Sequence, residues 1–487
     1  MSATDAHPHG HQHGHPHTGA AQHPPPPPRR WAALAVICLA QFMLVLDVTV
    51  VNVALPDMAA DLDLDRAALT WVVTAYTLAF GGLMLLGGRL ADTLGTRRVL
   101  LAGLAVFTAA SLVTGLAQSA ELLIGGRLAQ GVGAALLSPA ALAVVTTSFH
   151  GPERNRALGV WAAIGGTGSA FGVLIGGALT EGPGWQWVFY VNVPVGLAVL
   201  AVLPALVPAA APGARTAARL DVPGALLVTT ATGALIYGLV HAGDDGWGDA
   251  VTLLALAGSA VLYAAFAAVE RASRAPLMDL RMLTRRPVVA GSFLMLVATA
   301  LLISFFFLGS MYLQHARGFG PLKTGLAFLP VAVGVGLGAH LGSRLVGRIG
   351  SRACAVGGTA VATAGAVPLA LLSDDSSVYG VFVPGLVVAS LGVGAVFVTA
   401  TTTALAMVAH EEAGLASGVV NTFHEVGASV GVAVVSTVAA AGIGAGATAG
   451  FTDAYALLAV VAGASALASV ALVPRGRPEM TGVPHAH

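Results

Sequence analysis

The chain has 487 residues, of which only 9% are charged, and its mean hydropathy is +0.82. A soluble domain of this length needs a charged shell, and the sequence has too few charged residues to build one. The formal net charge is zero, and we expect no nucleic-acid partner.

The N-terminal segment differs in composition from the rest of the chain. It contains HPHGHQHGHPH followed by PPPPP, and it lacks the apolar core and small-residue cleavage site of a signal peptide. We predict a disordered His- and Pro-rich cytoplasmic tail over residues 1–30. Such tracts also bind transition metals weakly. A metal site here, which we do not favour, would use His7, His9, His11, His13, His15 and His17.

Apolar blocks long enough to cross a bilayer follow one another from Trp31 to Val473. A crossing takes about 20 residues at about 1.5 Å each. We predict an all-α polytopic membrane protein because the backbone within each span must form its own hydrogen bonds. Fourteen spans are predicted, near 31–54, 68–88, 99–118, 122–148, 157–180, 187–208, 222–242, 251–269, 288–313, 323–343, 353–372, 378–405, 414–440 and 454–473.

The basic residues are distributed unevenly between the predicted loops. With the N-terminus in the cytoplasm, nearly all arginines fall in cytoplasmic segments, and only Arg66, Arg317 and Lys323 fall outside. Cytoplasmic loops carry an excess of Lys and Arg. We therefore predict a multi-pass protein of the inner (plasma) membrane with both termini in the cytoplasm and the lipid bilayer as its surroundings.

A short internal repeat predicts that the chain consists of two related halves. Residues 88–97 read GRLADTLGTR and residues 343–352 read SRLVGRIGSR, each after an even-numbered predicted span. Parallel repeats of this kind occur in transporters. After the tail we predict an N-terminal six-helix bundle at 31–208, a two-helix insertion with flanking cytoplasmic segments at 209–286, a C-terminal six-helix bundle at 287–473 and a cytoplasmic tail at 474–487.

Six motifs in this order carry a family resemblance. They read DVTVVNVALP (47–56), GGRLADTLGTRR (87–98), RLAQGVGAALLSPA (127–140), GSAFGVLIGG (168–177), GWQWVFYVNVPVG (184–196) and MYLQHARGFGPLKTGLAFLP (311–330). Together they closely resemble the fourteen-span drug:proton antiporter branch of the major facilitator superfamily. The resemblance implies two six-helix bundles plus two extra helices, and export of lipophilic, often cationic, compounds in exchange for protons by alternating access.

Two charges inside predicted spans are candidates for proton coupling. Asp47 lies in the first span, where an ionised carboxylate is costly unless it meets water or a partner. The alternative is a structural Asp bonded to Thr49 or Asn52. Arg127 lies in the fourth span and must be paired or hydrated. The resemblance implies a part in proton transfer, whereas the residues alone also allow a helix-bracing donor. Gln130, three residues on, would extend the polar network.

The link between spans 2 and 3 is a candidate cytoplasmic gate formed by Gly88, Asp92, Gly95, Arg97 and Arg98. The glycines allow close approach and a sharp reversal, and the resemblance implies gating through charge contacts. The alternative is positive-inside anchoring, which explains the arginines but not Asp92.

Span 5 carries small residues on one face, namely Gly168, Gly172, Gly176 and Gly177. This pattern predicts close helix packing. The antiporter motif has proline at the position of Val173, so the kink that proline provides is not expected.

Span 13 contains His424 and Glu425 within an apolar run. The related branch usually has Arg-Gln at this position. Glu425 is a second candidate for proton coupling or cation binding, and His424 for titration or substrate binding. The alternative is a structural polar pair that faces another helix.

A substrate site would combine these charges with aromatic and amide side chains. Aromatic rings attract cationic ligands, although most rings in membrane helices pack against lipid or protein. The candidate substrate-binding residues are Asp47, Phe42, Tyr76, Phe80, Gln130, Phe306, Gln314, Phe423, His424 and Glu425.

The energy source is expected to be an ion gradient, because no GxxxxGK[ST] motif is present. We predict a non-enzymatic, monomeric exporter of a drug-like small molecule that uses protons and no cofactor. A proton-coupled solute importer, or an exporter of one metabolite, on the same fold is the alternative, and a membrane receptor or membrane-bound enzyme comes third.

Overall fold

A computed structural model of the protein describes residues 29–476 except 65, 209–221, 274–279, 407, 409–411 and 446–447. Every regular element in these ranges is helical. The helices are α1 (Arg30–Leu62), α2 (Arg66–Leu94), α3 (Thr96–Gly115), α4 (Ala120–Ser148), α5 (Gly151–Glu181), α6 (Trp187–Tyr190), α7 (Asn192–Leu206), α8 (Val222–Asp245), α9 (Ala250–Ala272), α10 (Arg286–Met311), α11 (Pro321–Ile349), α12 (Ser351–Ala370), α13 (Val383–Ala404), α14 (Ala413–Ala445) and α15 (Thr448–Leu472).

The predicted all-helical membrane fold is confirmed. Thirteen segments of the described residues are long and apolar enough to cross a bilayer. The one predicted span that is not among these thirteen segments is the fifth, 157–180. It lies within α5, whose 31 residues extend about 46 Å at about 1.5 Å per residue. Its Gly, Thr and Ser content makes α5 less apolar than the other spans, and it packs between α1 and α11. The predicted span 187–208 is divided into α6 and α7.

The helices pack as two groups that meet along two helix pairs. Helices α1 to α7 pack mainly with one another, and so do helices α10 to α15. We call these the N-terminal and the C-terminal group. They contact each other chiefly where α2 packs on α14 and where α5 packs on α11. Helices α2 and α14 approach closely, since a Cβ at Gly418 would lie 2.9 Å from the Met84 carbonyl oxygen.

The two inserted helices form a hairpin that contacts both groups. Helix α8 packs on α2 and on α14, and α9 packs on α8. The ring of Trp71 in α2 stacks on Tyr237 in α8 with 6.2 Å between the centroids. The indole nitrogen of Trp247 donates to the Thr437 hydroxyl of α14 at 3.1 Å. The insertion therefore contacts both α2 of the N-terminal group and α14 of the C-terminal group.

The turn between α8 and α9 is fixed by an aspartate cap. Asp249 Oδ2 accepts hydrogen bonds from the backbone amides of Val251 at 2.7 Å and Thr252 at 3.2 Å. These two hydrogen bonds hold the pKa of the Asp249 carboxyl below its usual range, and the bond from the Thr252 amide has the larger effect. His241 in α8 also contacts this carboxylate, at 3.1 Å. The cap defines where α9 begins.

Arginines from several helices gather at one end of the helix assembly, which we call the basic end. Helices α1, α5, α10 and α12 begin there, and α2, α13 and α15 end there. Arg30 of α1 pairs with Glu153 of α5 at 2.9 Å. Charged side chains at span ends mark the level where the protein meets the lipid headgroups and water.

Candidate functional site

A buried ion pair lies at the centre of the N-terminal group. Arg127 Nη1 of α4 donates to Asp47 Oδ2 of α1 at 2.5 Å, and the two side chains are 2% and 0% exposed. An ion pair removed from water is tolerated only when its remaining hydrogen-bonding capacity is filled. The other contacts of these two side chains meet that requirement.

Amide donors complete the surroundings of the carboxylate. Asp47 Oδ1 accepts from Gln130 Nε2 at 3.0 Å and from Asn192 Nδ2 at 2.9 Å. Gln130 Nε2 also donates to the Ser111 hydroxyl at 2.8 Å. Four helices, α1, α3, α4 and α7, therefore supply the polar groups around one carboxylate. We call Asp47, Arg127, Gln130, Asn192 and Ser111 the Asp47 cluster.

The guanidinium group of Arg127 is held from two further directions. Its Nε donates to the backbone carbonyl of Val72 in α2 at 3.1 Å. Its Cζ lies 4.2 Å from the centroid of the Tyr76 ring, within cation–π range. The hydroxyl of Tyr76 is buried and has no hydrogen-bond partner among the described residues.

The Asp47 cluster agrees with the sequence in part. Gln130 lies beside Arg127, as the spacing of three residues predicts. Thr49 donates to the Val45 carbonyl of its own helix rather than to Asp47. Asn192 and Ser111 were missed by sequence reasoning. Both are polar residues in apolar helices, which is a signal visible in the sequence. That signal does not reveal which partner such a residue contacts.

The cluster has no free surface in this conformation. Asp47, Gln130, Asn192 and Tyr76 each expose at most 1% of their surface. These side chains are therefore in contact with one another and not with an open cavity.

A second, more accessible acid lies in the C-terminal group. His424 Nδ1 and Glu425 Oε1 of α14 are 3.1 Å apart, and these side chains are 35% and 13% exposed. A Cβ at Gly81 of α2 would lie 3.5 Å from the Glu425 Cβ, so Glu425 lies at the contact between the two groups.

The remaining predicted substrate residues are divided between the two groups. Phe42 packs edge-on against Phe171 at 6.2 Å, and Phe80 lies 5.5 Å from Tyr76 between ring centroids. In the C-terminal group, Phe306 stacks on Phe328, Gln314 Nε2 donates to the Ser310 hydroxyl, and Phe423 is half-buried. The structure does not bring these side chains together around one cavity.

Contacts across the two groups close the basic end. Asp92 Oδ2, at the end of α2, accepts a hydrogen bond from the backbone amide of Leu415 in the first turn of α14 at 2.7 Å. A carboxylate is stabilised at a helix N-terminus by the unpaired amides and the helix dipole. Arg154 Nη2 of α5 donates to the carbonyl of Leu405, the residue after α13, at 2.8 Å. Sequence reasoning did not single out Arg154.

The other predicted gate residues shape the turn beside Asp92. Gly95 has φ +94°, a conformation that favours glycine, and α3 begins directly after it. A Cβ at Gly418 would lie 3.6 Å from the Gly88 Cα. Arg97 is half-buried and Arg98 is exposed.

The second copy of the repeat makes a different contact at the same end. Gly347 of α11 stands where the first copy has Asp92, and a Cβ there would lie 3.4 Å from Asn155 Nδ2 of α5. The two cross-group contacts are therefore unequal, since only the first copy places a carboxylate against the opposite group.

The glycine face of α5 packs on α1 at three positions. A Cβ at Gly168 would lie 2.7 Å from Val45 Cγ1, one at Gly172 2.6 Å from Thr49 Cβ, and one at Gly176 3.1 Å from the Val50 Cα. Gly177 faces open space, with no described atom within 4 Å of such a Cβ. Helix α5 continues without interruption through position 173.

No group of three or more His, Cys, Asp or Glu side chains suited to a metal ion occurs in the part of the chain that the structure describes. The six histidines of the N-terminal tail, His7, His9, His11, His13, His15 and His17, lie outside that part.

Comparison with known proteins identifies the same architecture. The profile of the Major Facilitator Superfamily matches residues 37–432. The chain is 43% identical to the puromycin resistance protein pur8 of Streptomyces alboniger, over 84% of this chain and 82% of that protein. It is 39% identical to the cephamycin export protein CmcT of Amycolatopsis lactamdurans (84% and 85% covered) and 37% identical to the lincomycin resistance protein of Streptomyces lincolnensis (94% and 95% covered).

A solved structure supports the fold. The crystal structure of the human organic anion transporter MFSD10 aligns with a TM-score of 0.64 at 16% identity, covering 91% of this chain and all of that chain. At this identity the similarity concerns the fold alone.

Proposed function

Because the chain belongs to the Major Facilitator Superfamily and is a membrane transporter rather than an enzyme, we propose that it is a proton-coupled antiporter. In this proposal it exports lipophilic or cationic drugs or antibiotics from the cell. The observation that carries the proposal is the buried Asp47–Arg127 pair, together with relatives whose names describe antibiotic export and resistance.

The ion pair provides a reason for protons and conformation to be linked. Protonation of Asp47 removes the negative charge that Arg127 faces and leaves an uncompensated cation away from water. Removing one partner of such a pair costs about 3–5 kcal/mol. The protonated cluster therefore relaxes by moving Arg127 toward another acceptor or toward water, and this movement is the conformational step that a proton drives.

Glu425 is the proposed partner for a cationic substrate. It retains exposed surface, carries a negative charge and lies where α14 meets α2. A cation bound at Glu425 and a proton bound at Asp47 would each add one unit of positive charge beside α2, since Glu425 lies against Gly81 and Arg127 lies against Tyr76 of that helix. Two positive charges in one low-dielectric region repel each other. Substrate and proton would therefore compete, which is the requirement for exchange.

The gate at the basic end gives the alternation its two states. The Asp92 and Arg154 contacts join the two groups at this end, so the present conformation is closed there. With the basic end in the cytoplasm, as the distribution of arginines predicts, these bonds must break before substrate enters from inside. One proton moving down a potential of 100 mV releases about 2.3 kcal/mol toward that cycle.

The test is transport in proteoliposomes with an imposed pH gradient. Puromycin and ethidium, a lipophilic cation, are suitable first probes. The wild-type protein should move both against their gradients while protons move the opposite way. Asp47→Asn should abolish gradient-driven transport, while Asp61→Asn should leave it unchanged. Asp61 lies at the C-terminal end of the same helix, away from the basic end, and it accepts a hydrogen bond from the Trp185 indole nitrogen at 2.8 Å.

The alternative is a proton-coupled importer, or an exporter of one metabolite, on the same fold. Protons and substrate moving in the same direction would favour import. Transport of a single compound with no response to ethidium would favour a dedicated exporter. Full activity of Asp47→Asn would contradict the proposed coupling site.

A further inference from the structure

Two guanidinium groups donate to the carbonyls at the end of α15 at the basic end, and a third arginine follows there in the chain. Arg286, at the start of α10, donates to the carbonyls of Ala471 at 2.6 Å and Leu472 at 3.3 Å. Arg352, at the start of α12, donates to the Val473 carbonyl at 2.8 Å. Arg475 lies two residues after Val473, whose carbonyl accepts from Arg352, and its side chain is exposed. We call Arg286, Arg352 and Arg475 the arginine cluster.

Among the residues that the structure describes, no carboxylate pairs with the positive charge of the cluster. None of its members forms an ion pair with a described carboxylate, whereas the adjacent Arg285 pairs with Glu412 at 3.4 Å. The C-terminus of α15 supplies only about half of an elementary negative charge. Arginines that gather at one helix end without a described carboxylate attract an anion, either a bound group or a loose counterion.

The side chains next to the cluster indicate what kind of anion fits. Leu467 and Val470, five and two residues before the end of α15, are 76% and 49% exposed. They are three residues apart and share one face of the helix. An open groove of about 390 Å³, lined by Arg285, Arg286, Pro287, Val288 and Ala404, lies alongside Arg286. The end of α15 therefore combines nearby positive charge with exposed apolar side chains on the preceding turns.

We propose that the arginine cluster binds the phosphate of an anionic phospholipid, with the acyl chains of that lipid lying along Leu467 and Val470. Basic residues where membrane helices end attract anionic headgroups. The net positive charge favours phosphatidylglycerol over zwitterionic phosphatidylcholine. The apolar surface below the arginines favours a lipid over a soluble phosphate, which would leave that surface unused.

Arg475 is the best position for a test. It makes no hydrogen bond with described residues that its removal would leave unpaired, so the helix contacts of Arg286 and Arg352 persist in Arg475→Gln. Arg344→Gln is the matched control, because Arg344 is an exposed arginine in the last two turns of α11 at the same end and lies outside the cluster.

The experiment is native mass spectrometry of full-length protein titrated with phosphatidylglycerol and, separately, with phosphatidylcholine. Wild type should bind phosphatidylglycerol preferentially. Arg475→Gln should weaken that binding about fivefold, as expected for one basic residue at a membrane surface. Arg475→Lys should retain most of it, and Arg344→Gln should match wild type. Free glycerol phosphate in excess should not displace the lipid.

Three results would each overturn the proposal. They are equal binding of the two lipids by wild type, an equal loss in Arg475→Gln and Arg344→Gln, and displacement of the lipid by free glycerol phosphate. The last result would assign the cluster to a soluble phosphate. Because this readout measures lipid and not transport, it stands or fails separately from the proposed antiport.

Discussion

We expect the hydrogen bond between Asp92 and the first turn of α14 to stabilise the closed form of the basic end, and Asp92→Asn tests this directly. The asparagine keeps the shape and an acceptor oxygen but loses the charge that the Leu415 amide and the helix N-terminus stabilise. A charged group at a helix N-terminus contributes about 0.3–1 kcal/mol, and up to about 2 kcal/mol when partly buried. Asp92 is half-buried, so we expect a loss of about 1–2 kcal/mol.

That loss predicts a measurable change in population. A change of about 1–2 kcal/mol shifts an equilibrium about 5- to 30-fold. If the form opened at the basic end makes up about 1% of the wild-type protein, Asp92→Asn should raise it to between about 5% and about 20%. The closed form is the one that loses the bond, so the shift has one direction.

The assay is a distance measurement between spin labels across the two groups. Leu94, at the end of α2, and Ile349, at the end of α11, are 49% and 54% exposed, so labels there disturb little packing. The native Cys38 and Cys354 are both buried, so labelling is directed to the introduced cysteines. Asp92→Asn should add a population with a longer distance.

Glu153→Gln is the control for charge alone. Glu153 lies at the same end and pairs with Arg30, but both residues belong to the N-terminal group. Its distance distribution should match wild type. The reasoning is refuted if Asp92→Asn also matches wild type, or if Glu153→Gln opens the basic end equally.

Three further predictions concern the repeat, the glycine face and the insertion. Gly347→Asp should place a carboxylate beside Asn155 Nδ2 and reduce the opened population in the same spin-label assay; an increase would contradict the equivalence of the two repeats. Gly172→Ala should destabilise the protein by about 1–3 kcal/mol through overpacking, while Gly177→Ala should stay within about 0.5 kcal/mol, both judged by thermal unfolding in detergent. The lowered pKa of Asp249 contributes stability that is present above the ordinary carboxyl value of 3.8 and is lost as pH falls through the lower folded value. Asp249→Asn should therefore remove part of the difference in melting temperature between pH 6 and pH 3, and an unchanged difference would assign the acid sensitivity to other groups.

The helices were predictable because each one is encoded locally. Apolar blocks of bilayer length identify the spans, and the arginines at their ends group the loops. The sequence was less informative where a span is not uniformly apolar. Helix α5 shows this, since its glycine-rich interior is shielded by α1 and α11 rather than by lipid.

The candidate site was predictable only as isolated residues. Asp47, Arg127 and Gln130 stand out because charged and amide groups are costly in hydrocarbon. Asn192 does not stand out as a partner of Asp47, because it is separated from it by 145 positions and only the packing of α7 on α1 brings them to 2.9 Å. Arg154 was grouped with the other loop arginines for the same reason.

The amino-acid sequence by itself determined that this chain crosses a membrane as helices, that a ten-residue motif recurs in it, and which few polar groups are placed inside it. Tertiary structure alone decided that Asp47 accepts from three donor side chains while Glu425 keeps a free surface, and that Asp92 reaches across to α14. The physical reason is that lipid requires every span to satisfy its own backbone, which leaves a local pattern in the sequence. The contacts between spans depend instead on how closely small side chains let two helices approach. This depends on both helices of a pair, so the sequence of one helix does not reveal it.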